Sequence, residues 1–253
     1  MSLALLLLLA APQRIVSAAP SITEMLYDLG LGDRVAAVTM YCHYPPEARR
    51  KPKIGTYLSP DLEAILQARP DLIVSLASAS LLRNKLPGLG IPVLEVQNDT
   101  VGEIFQSMIA LGQRTGVEPR ARERVAKLEA ELRAVEARVA RRPRRTVMFV
   151  VGRTPGTVQD LIVVGGGSYL NELLERAGGE NVFRASKVAY PKVSREEVLA
   201  RRPAVVLDMG DMADTDQVTA AHQQSVVELW KRGLPLARAF AIASVVFLVP
   251  GPR

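Results

Sequence analysis

The chain has 253 residues, 48% hydrophobic and 23% charged, a balance that excludes a disordered, collagen-like or low-complexity protein. At ~100 to 200 residues per domain this length favours two domains, each able to bury a core. A net charge of +6 with a pI near 9.7 would point to nucleic acid only with a basic stripe and interleaved aromatics, and neither is present, so no nucleic-acid partner is expected.

The start, MSLALLLLLAAPQ, carries an apolar run closed by small residues and a proline. It resembles a secretory signal segment without its basic n-region and is too short to span a bilayer, so residues 1–13 are set apart from the fold. Arg14 to Ala18 reads as a buried strand. Pro20-Ser21 opens a helix that Gly30 and Gly32 end, glycine supplying the left-handed backbone of a helix terminus. Arg34 to Thr39 is the next strand, followed by a loop rich in tyrosine and proline that holds Tyr41, Cys42, His43 and Tyr44. Asp61 caps a helix to Ala68, and Leu72 to Leu76 is an apolar strand. A helical turn around Leu81 to Leu86, a strand from Ile91 to Val96 and a helix from Thr100 complete residues 14–117 as an α/β lobe with a parallel sheet.

The pattern then changes. Val125, Leu128, Leu132, Val135 and Val139 recur at spacings of three and four with no turn signal, which predicts one long amphipathic helix over residues 118–142. Residues 143–253 form the second lobe. Thr146 to Val151 and Leu161 to Val164 are strands, and the glycine run Gly165 to Gly167 leads into a helix from Ser168. That run lacks the spacing and the lysine of a phosphate cradle. A strand from Ala204 to Leu207, a helix from Gln217 to Arg232 and a late strand from Ala239 to Leu248 follow.

One feature organises both lobes. Thr56 to Val74 and Ala189 to Leu207 repeat each other at a constant offset of 133 (Tyr57 to Tyr190), matching Glu63 with Glu196, Leu66 with Leu199 and Arg69-Pro70 with Arg202-Pro203. Glu24-Met25-Leu26 with Gly30 echoes Glu172-Leu173-Leu174 with Gly178. A duplicated unit predicts two similar lobes, and two lobes can hold a ligand between them. Tyr57 and Tyr190 fall in equivalent loops at the sheet end where α/β folds bind ligands, and tyrosine presents an apolar face with a polar tip. Glu63 and Glu196 fall in first helical turns, where the helix dipole favours negative charge, and the matched pair also offers a two-point acidic surface to partner arginines.

Catalytic readings are weak. Cys42-His43 are adjacent, and successive side chains in an extended loop point apart, so a nucleophile and base pair is not expected there. His43 as a metal ligand lacks supporting spacing. As the only cysteine, Cys42 excludes an internal disulfide.

The loop from Met40 to Val74, the segment ENVFRASKVAYPKVSREEVLARRP and the closing FLVPGPR resemble the metal-chelate substrate-binding proteins of ABC importers, within them the vitamin B12-binding branch. The resemblance covers nearly the whole chain from Arg14. It implies an α/β fold of two Rossmann-like lobes joined by a single long α-helix, the class III periplasmic binding protein, with no catalytic residues and no intrinsic cofactor. It also implies a periplasmic location, a cobalamin-like chelate as ligand and an importer permease as partner; nothing points to an oligomer. Aromatics at the positions of Tyr41, Tyr57 and Tyr190 line the cleft in that branch, Phe247 remains from a late aromatic loop, and the matched glutamates dock on permease arginines. Arg153, in a second-lobe turn, is a guess from charge and loop position for the ligand's polar edge. Departures include tyrosine at two tryptophan positions, His43 at an acidic one, and Val245-Val246 for an acidic and an aromatic residue. Haem or an iron-siderophore is therefore the alternative ligand. The family also continues past the closing motif into a last helix. Because no proline interrupts the connector beyond its first turn, only small opening motions are expected.

Overall fold

The computed structural model describes residues 11–78, 90–210, 218–234, 237–242, 247 and 249–252. The apolar run up to Ala10, the turn around Leu81 to Leu86 and Val245-Val246 lie outside them. The chain divides into two compact units, the first comprising Met1–Asn98, Gly102–Glu129 and Pro250–Arg253, the second Asp99–Val101 and Ala130–Val249. Among the described residues no helix is long and apolar enough to cross a membrane.

The first unit is built on strands β1 (Ile15–Ser17), β2 (Val35–Val38), β3 (Leu72–Leu76) and β4 (Val93–Val96), with helices α1 (Pro20–Asp28), α2 (Leu62–Gln67) and α3 (Val101–Thr115). All neighbours are parallel and the order is β2-β1-β3-β4. The central strands are apolar because both their faces are covered: Ile15, Val16, Leu72, Ile73 and Val74 are fully buried. Asp61 caps α2 by accepting from the Ala64 amide at 3.1 Å.

Helix α4 (Glu118–Val139) is continuous, and the division between units falls inside it, after Glu129. Its apolar stripe is only partly covered: Ala121 is buried, whereas Val135 is 37% exposed. Each end is fastened to its own unit. Ala121 approaches Gly112 and Arg124 pairs with Asp28 at 2.8 Å in the first; Val139 packs on Gly178 and Arg176 pairs with Glu136 in the second. The helix stops at Val139, short of Arg142, whose amide closes a turn on the Val139 carbonyl before Pro143.

The second unit contains β5 (Arg145–Gly152), β6 (Leu161–Val163), α5 (Tyr169–Arg176), β7 (Gly179–Asn181), β8 (Lys192–Val193), α6 (Arg195–Arg201), β9 (Val205–Asp208), α7 (Ala220–Gly233) and β10 (Arg238–Ala241). Strands β7 and β6 share one edge of β5, β7 along its first half in parallel and β6 along its second half antiparallel. The parallel set therefore reads β7-β5-β9-β10, the order of the first sheet, with the antiparallel pair β6 and β8 added. That pair was not anticipated as antiparallel, and β7 and β8 are too short to show periodicity. Strand β10 covers the start of the expected late strand, with the Ile242 amide donating to the Asp208 carbonyl at 2.9 Å just beyond it, and residues 243–246 and 248 of that expectation lie outside the described residues.

The duplicated segments superpose in detail at the level of local geometry. Asp61 and Ser194 both cap helices, Ile65 and Val198 are both buried beneath them, and Arg69 and Arg202 both adopt left-handed backbone, φ 45° and 47°.

Candidate functional site

In the first unit the chain leaves the carboxyl ends of β2, β3 and β4 towards one edge. Tyr41 follows β2 and is 57% exposed, and Tyr44 in the same loop is also exposed. Tyr57 packs on the core formed by Val16, Ile54, Ile65 and Ile73, and its hydroxyl lies 2.8 Å from the Ser78 hydroxyl just past β3. Asn98, past β4, donates to Ser21 at the start of α1. The loop holding Tyr41 is pinned beneath by Cys42, buried and within 3.1 Å of the Thr23 and Thr39 hydroxyls. Cys42 is thus a packed thiol. The exposed His43 is held through its backbone, its carbonyl accepting from Arg49 at 2.9 Å. No group of three or more metal-binding side chains occurs among the described residues.

In the second unit Tyr190 is 42% exposed. Desolvation around its hydroxyl raises its pKa, Ser168 opposes this by hydrogen bonding, and the negative charge of Asp99 adds to it. The phenol stays protonated well past neutrality. Its loop is seated on the glycine run. Gly165 donates to Ala189 and Gly166 to Ser186, while a β-carbon at Gly166 would lie 2.1 Å from the Arg184 carbonyl oxygen. Those glycines exist for close backbone approach, so their amides are spent on protein and not on phosphate.

Phe247 stacks edge-to-face on Phe149 with centroids 6.1 Å apart, and its carbonyl accepts from the Tyr169 hydroxyl at the start of α5. Arg153, just past β5, is buried. Its Nε donates to Asp208 at 3.0 Å with both side chains fully inaccessible, and Asp208 also accepts from Trp230 Nε1 and the Gly210 amide. Nothing in the residue order marks this pair, since Asp208 lies outside the repeat and no spacing rule joins it to Arg153.

Glu63 and Glu196 are both exposed in first helical turns. Glu63 accepts from Gln67 at 3.3 Å. The pKa of Glu196 is lowered, first by its own backbone amide and then by the Ser194 hydroxyl. Four helical glutamates are ion-paired, Glu118 with Arg122, Glu136 with Arg176, Glu197 with Arg201 and Glu228 with Lys231. Among the described residues neither Glu63 nor Glu196 is. A concavity of about 770 Å³ adjoins Glu196, lined also by Thr157, Asp160, Lys192, Arg195 and Arg232. None of the tyrosines reaches it.

Residues 15–228 match the family described as Periplasmic binding protein. This chain belongs to that family. The vitamin B12-binding protein of Yersinia pestis (strain Pestoides F) is 32% identical over 213 residues, covering 83% of this chain and 74% of that protein. Among solved structures, the periplasmic vitamin B12-binding protein BtuF of Vibrio cholerae is 25% identical with a TM-score of 0.75, covering 96% of this chain and 92% of that one. The periplasmic heme-binding protein RhuT of Roseiflexus sp. RS-1, in apo form, is 26% identical with a TM-score of 0.76, covering 95% and 93%. A periplasmic binding protein is a transport component that holds a substrate for an ABC importer, not an enzyme, and two α/β lobes joined by one long helix are the class III form of the fold.

Proposed function

We propose that this protein is exported across the inner membrane, captures a cobalamin-like metal chelate and delivers it to an importer permease. One observation carries this reading: in a chain with 5% aromatic residues, the large rings Tyr41 and Tyr190 are left exposed, one in a loop of each unit. An exposed ring costs least when a ligand covers it, and a tyrosine can meet both the face and the polar rim of a corrinoid. Kinship with vitamin B12-binding proteins supports that ligand. Tyr57 and Phe247 extend the apolar contact. Arg153, inaccessible in its pair with Asp208, holds the loop beside the chelate and does not touch it.

Glu63 and Glu196 carry the docking surface. Exposed carboxylates repeated at one position in both units fit arginines on a permease, and such pairs form bidentate contacts. Replacing both with glutamine is expected to abolish uptake, whereas loss of chelate affinity in that variant would overturn the division of roles.

A haem reading rests on the exposed Tyr41 and His43, two positions apart in one loop, and on the likeness to RhuT. Equilibrium titration of the purified protein with cobalamin, haem and a ferric siderophore separates the two. Saturable cobalamin binding at micromolar concentration or below, without a Soret shift on haem addition, is expected. Tight haem binding with a Soret shift would replace the chelate assignment, and no binding of any of the three would remove it.

A further inference from the structure

Each docking glutamate has an apolar companion. Leu66 lies three residues after Glu63 on α2, and Leu199 three residues after Glu196 on α6, a spacing that puts both side chains on one helix face. The two leucines are 46% and 44% exposed, whereas the preceding residues Ile65 and Val198 point inward and are buried. These helices have diverged elsewhere: Leu62 corresponds to Arg195 and Ala64 to Glu197 at the same offset. An exposed leucine is ordinary once. Kept at the matched position in both copies, beside an exposed carboxylate on the same helix face, it marks a surface that something covers.

We infer that Leu66 and Leu199 are the apolar half of the permease-docking surface, each seated in an apolar recess beside the arginine that pairs with its glutamate. This rests on the docking role proposed above. The occupant is a basic, partly apolar protein surface, because the groups matched between the two copies on this side are a carboxylate and an aliphatic side chain. A lipid surface would supply no arginine, and a second copy of this chain would bring glutamate against glutamate.

The two halves have separable effects. Rim charges steer encounter and set the salt dependence of association, while desolvated apolar anchors set the rate of dissociation. The test measures both rates on proteoliposomes carrying the permease of this protein's own importer, at low and high salt, with empty vesicles of the same lipid and sedimentation of the protein alone. The variant L66A/L199A is expected to dissociate at least about tenfold faster with its salt dependence kept. L66M/L199M should restore slow dissociation, since methionine fills an apolar recess of similar size. E63Q/E196Q should associate more slowly and lose salt dependence. Unchanged dissociation of L66A/L199A, with the glutamate effect present, overturns the role of the leucines alone. No effect of either pair overturns the docking reading as well, and equal binding to empty vesicles or leucine-dependent self-association overturns the choice of occupant. Because both leucines are exposed, thermal melts of the variants should match the parent, and a lowered melt would assign them to the fold instead.

Discussion

Tyr190 joins an exposed ring to a shielded hydroxyl, and the two ends make different predictions. Six tyrosines are present, and the phenols of Tyr27 and Tyr190 are raised above the ordinary value of 10.0. In Tyr27 burial acts first, followed by the charges of Glu47 and Asp33. A phenol that keeps its proton longer when folded contributes stability fully present below the unfolded value and lost as pH rises through the folded one. Absorbance titration at the tyrosinate band should therefore show late-titrating groups that include Tyr27 and Tyr190, with one fewer in Tyr190→Phe. Truncating the ring should be felt by the ligand: Tyr190→Ala is expected to weaken chelate binding on the order of tenfold to a hundredfold, read by isothermal titration. Asp208 makes a prediction of another kind. Its carboxylate is buried against Arg153, Trp230 and Gly210, and Asp208→Ala would strand a buried guanidinium, lowering unfolding free energy by about 3 to 5 kcal/mol in urea melts.

At the scale of elements, the glycine run shows how a loop position is set. Gly166 lets the 184–190 segment lie against the start of α5, and Tyr190 follows directly on that contact. Gly166→Ala should displace the loop, so chelate affinity falls together with thermal stability, and a variant that melts lower yet binds normally would separate the two. Much at this scale was legible beforehand. Caps at Asp61 and Ser194, the strand Leu72–Leu76 and the long helix all follow from signals within a few residues of one another. What was not legible depended on partners far along the chain. Strand β10 pairs with β9 from beyond α7, β6 takes up β8 from beyond α5 and β7, and Arg153 turns inward because Asp208 waits at the end of a neighbouring strand. A residue chosen by charge and loop position carries no information about such a partner, whereas Tyr57 and Tyr190 are picked out by a repeat that encodes equivalent positions in the two units.

For the whole molecule, the repeat accounts for the shared order β2-β1-β3-β4 and β7-β5-β9-β10. Two units made to one plan need different roles only where their loops differ, as at the inserted β6 and β8. The helix between them has no proline after Pro119 in its first turn, and bending it elsewhere needs a defect it lacks. Small-angle scattering profiles with and without chelate should nearly coincide, and a large change in radius of gyration on binding would contradict a stiff connector.

That connector has a further consequence for the protein's lifetime outside the cytoplasm. Linkers between domains are ordinarily where proteases cut, because an extended chain must enter their active sites. Here the passage from one unit to the other is a hydrogen-bonded helix bearing Arg120, Arg122, Arg124, Lys127, Arg133 and Arg138, six tryptic sites with no extended backbone around them. Limited trypsin digestion should leave this stretch intact until the helix itself frays, so a cut between Glu118 and Val139 would report local melting and not an exposed hinge.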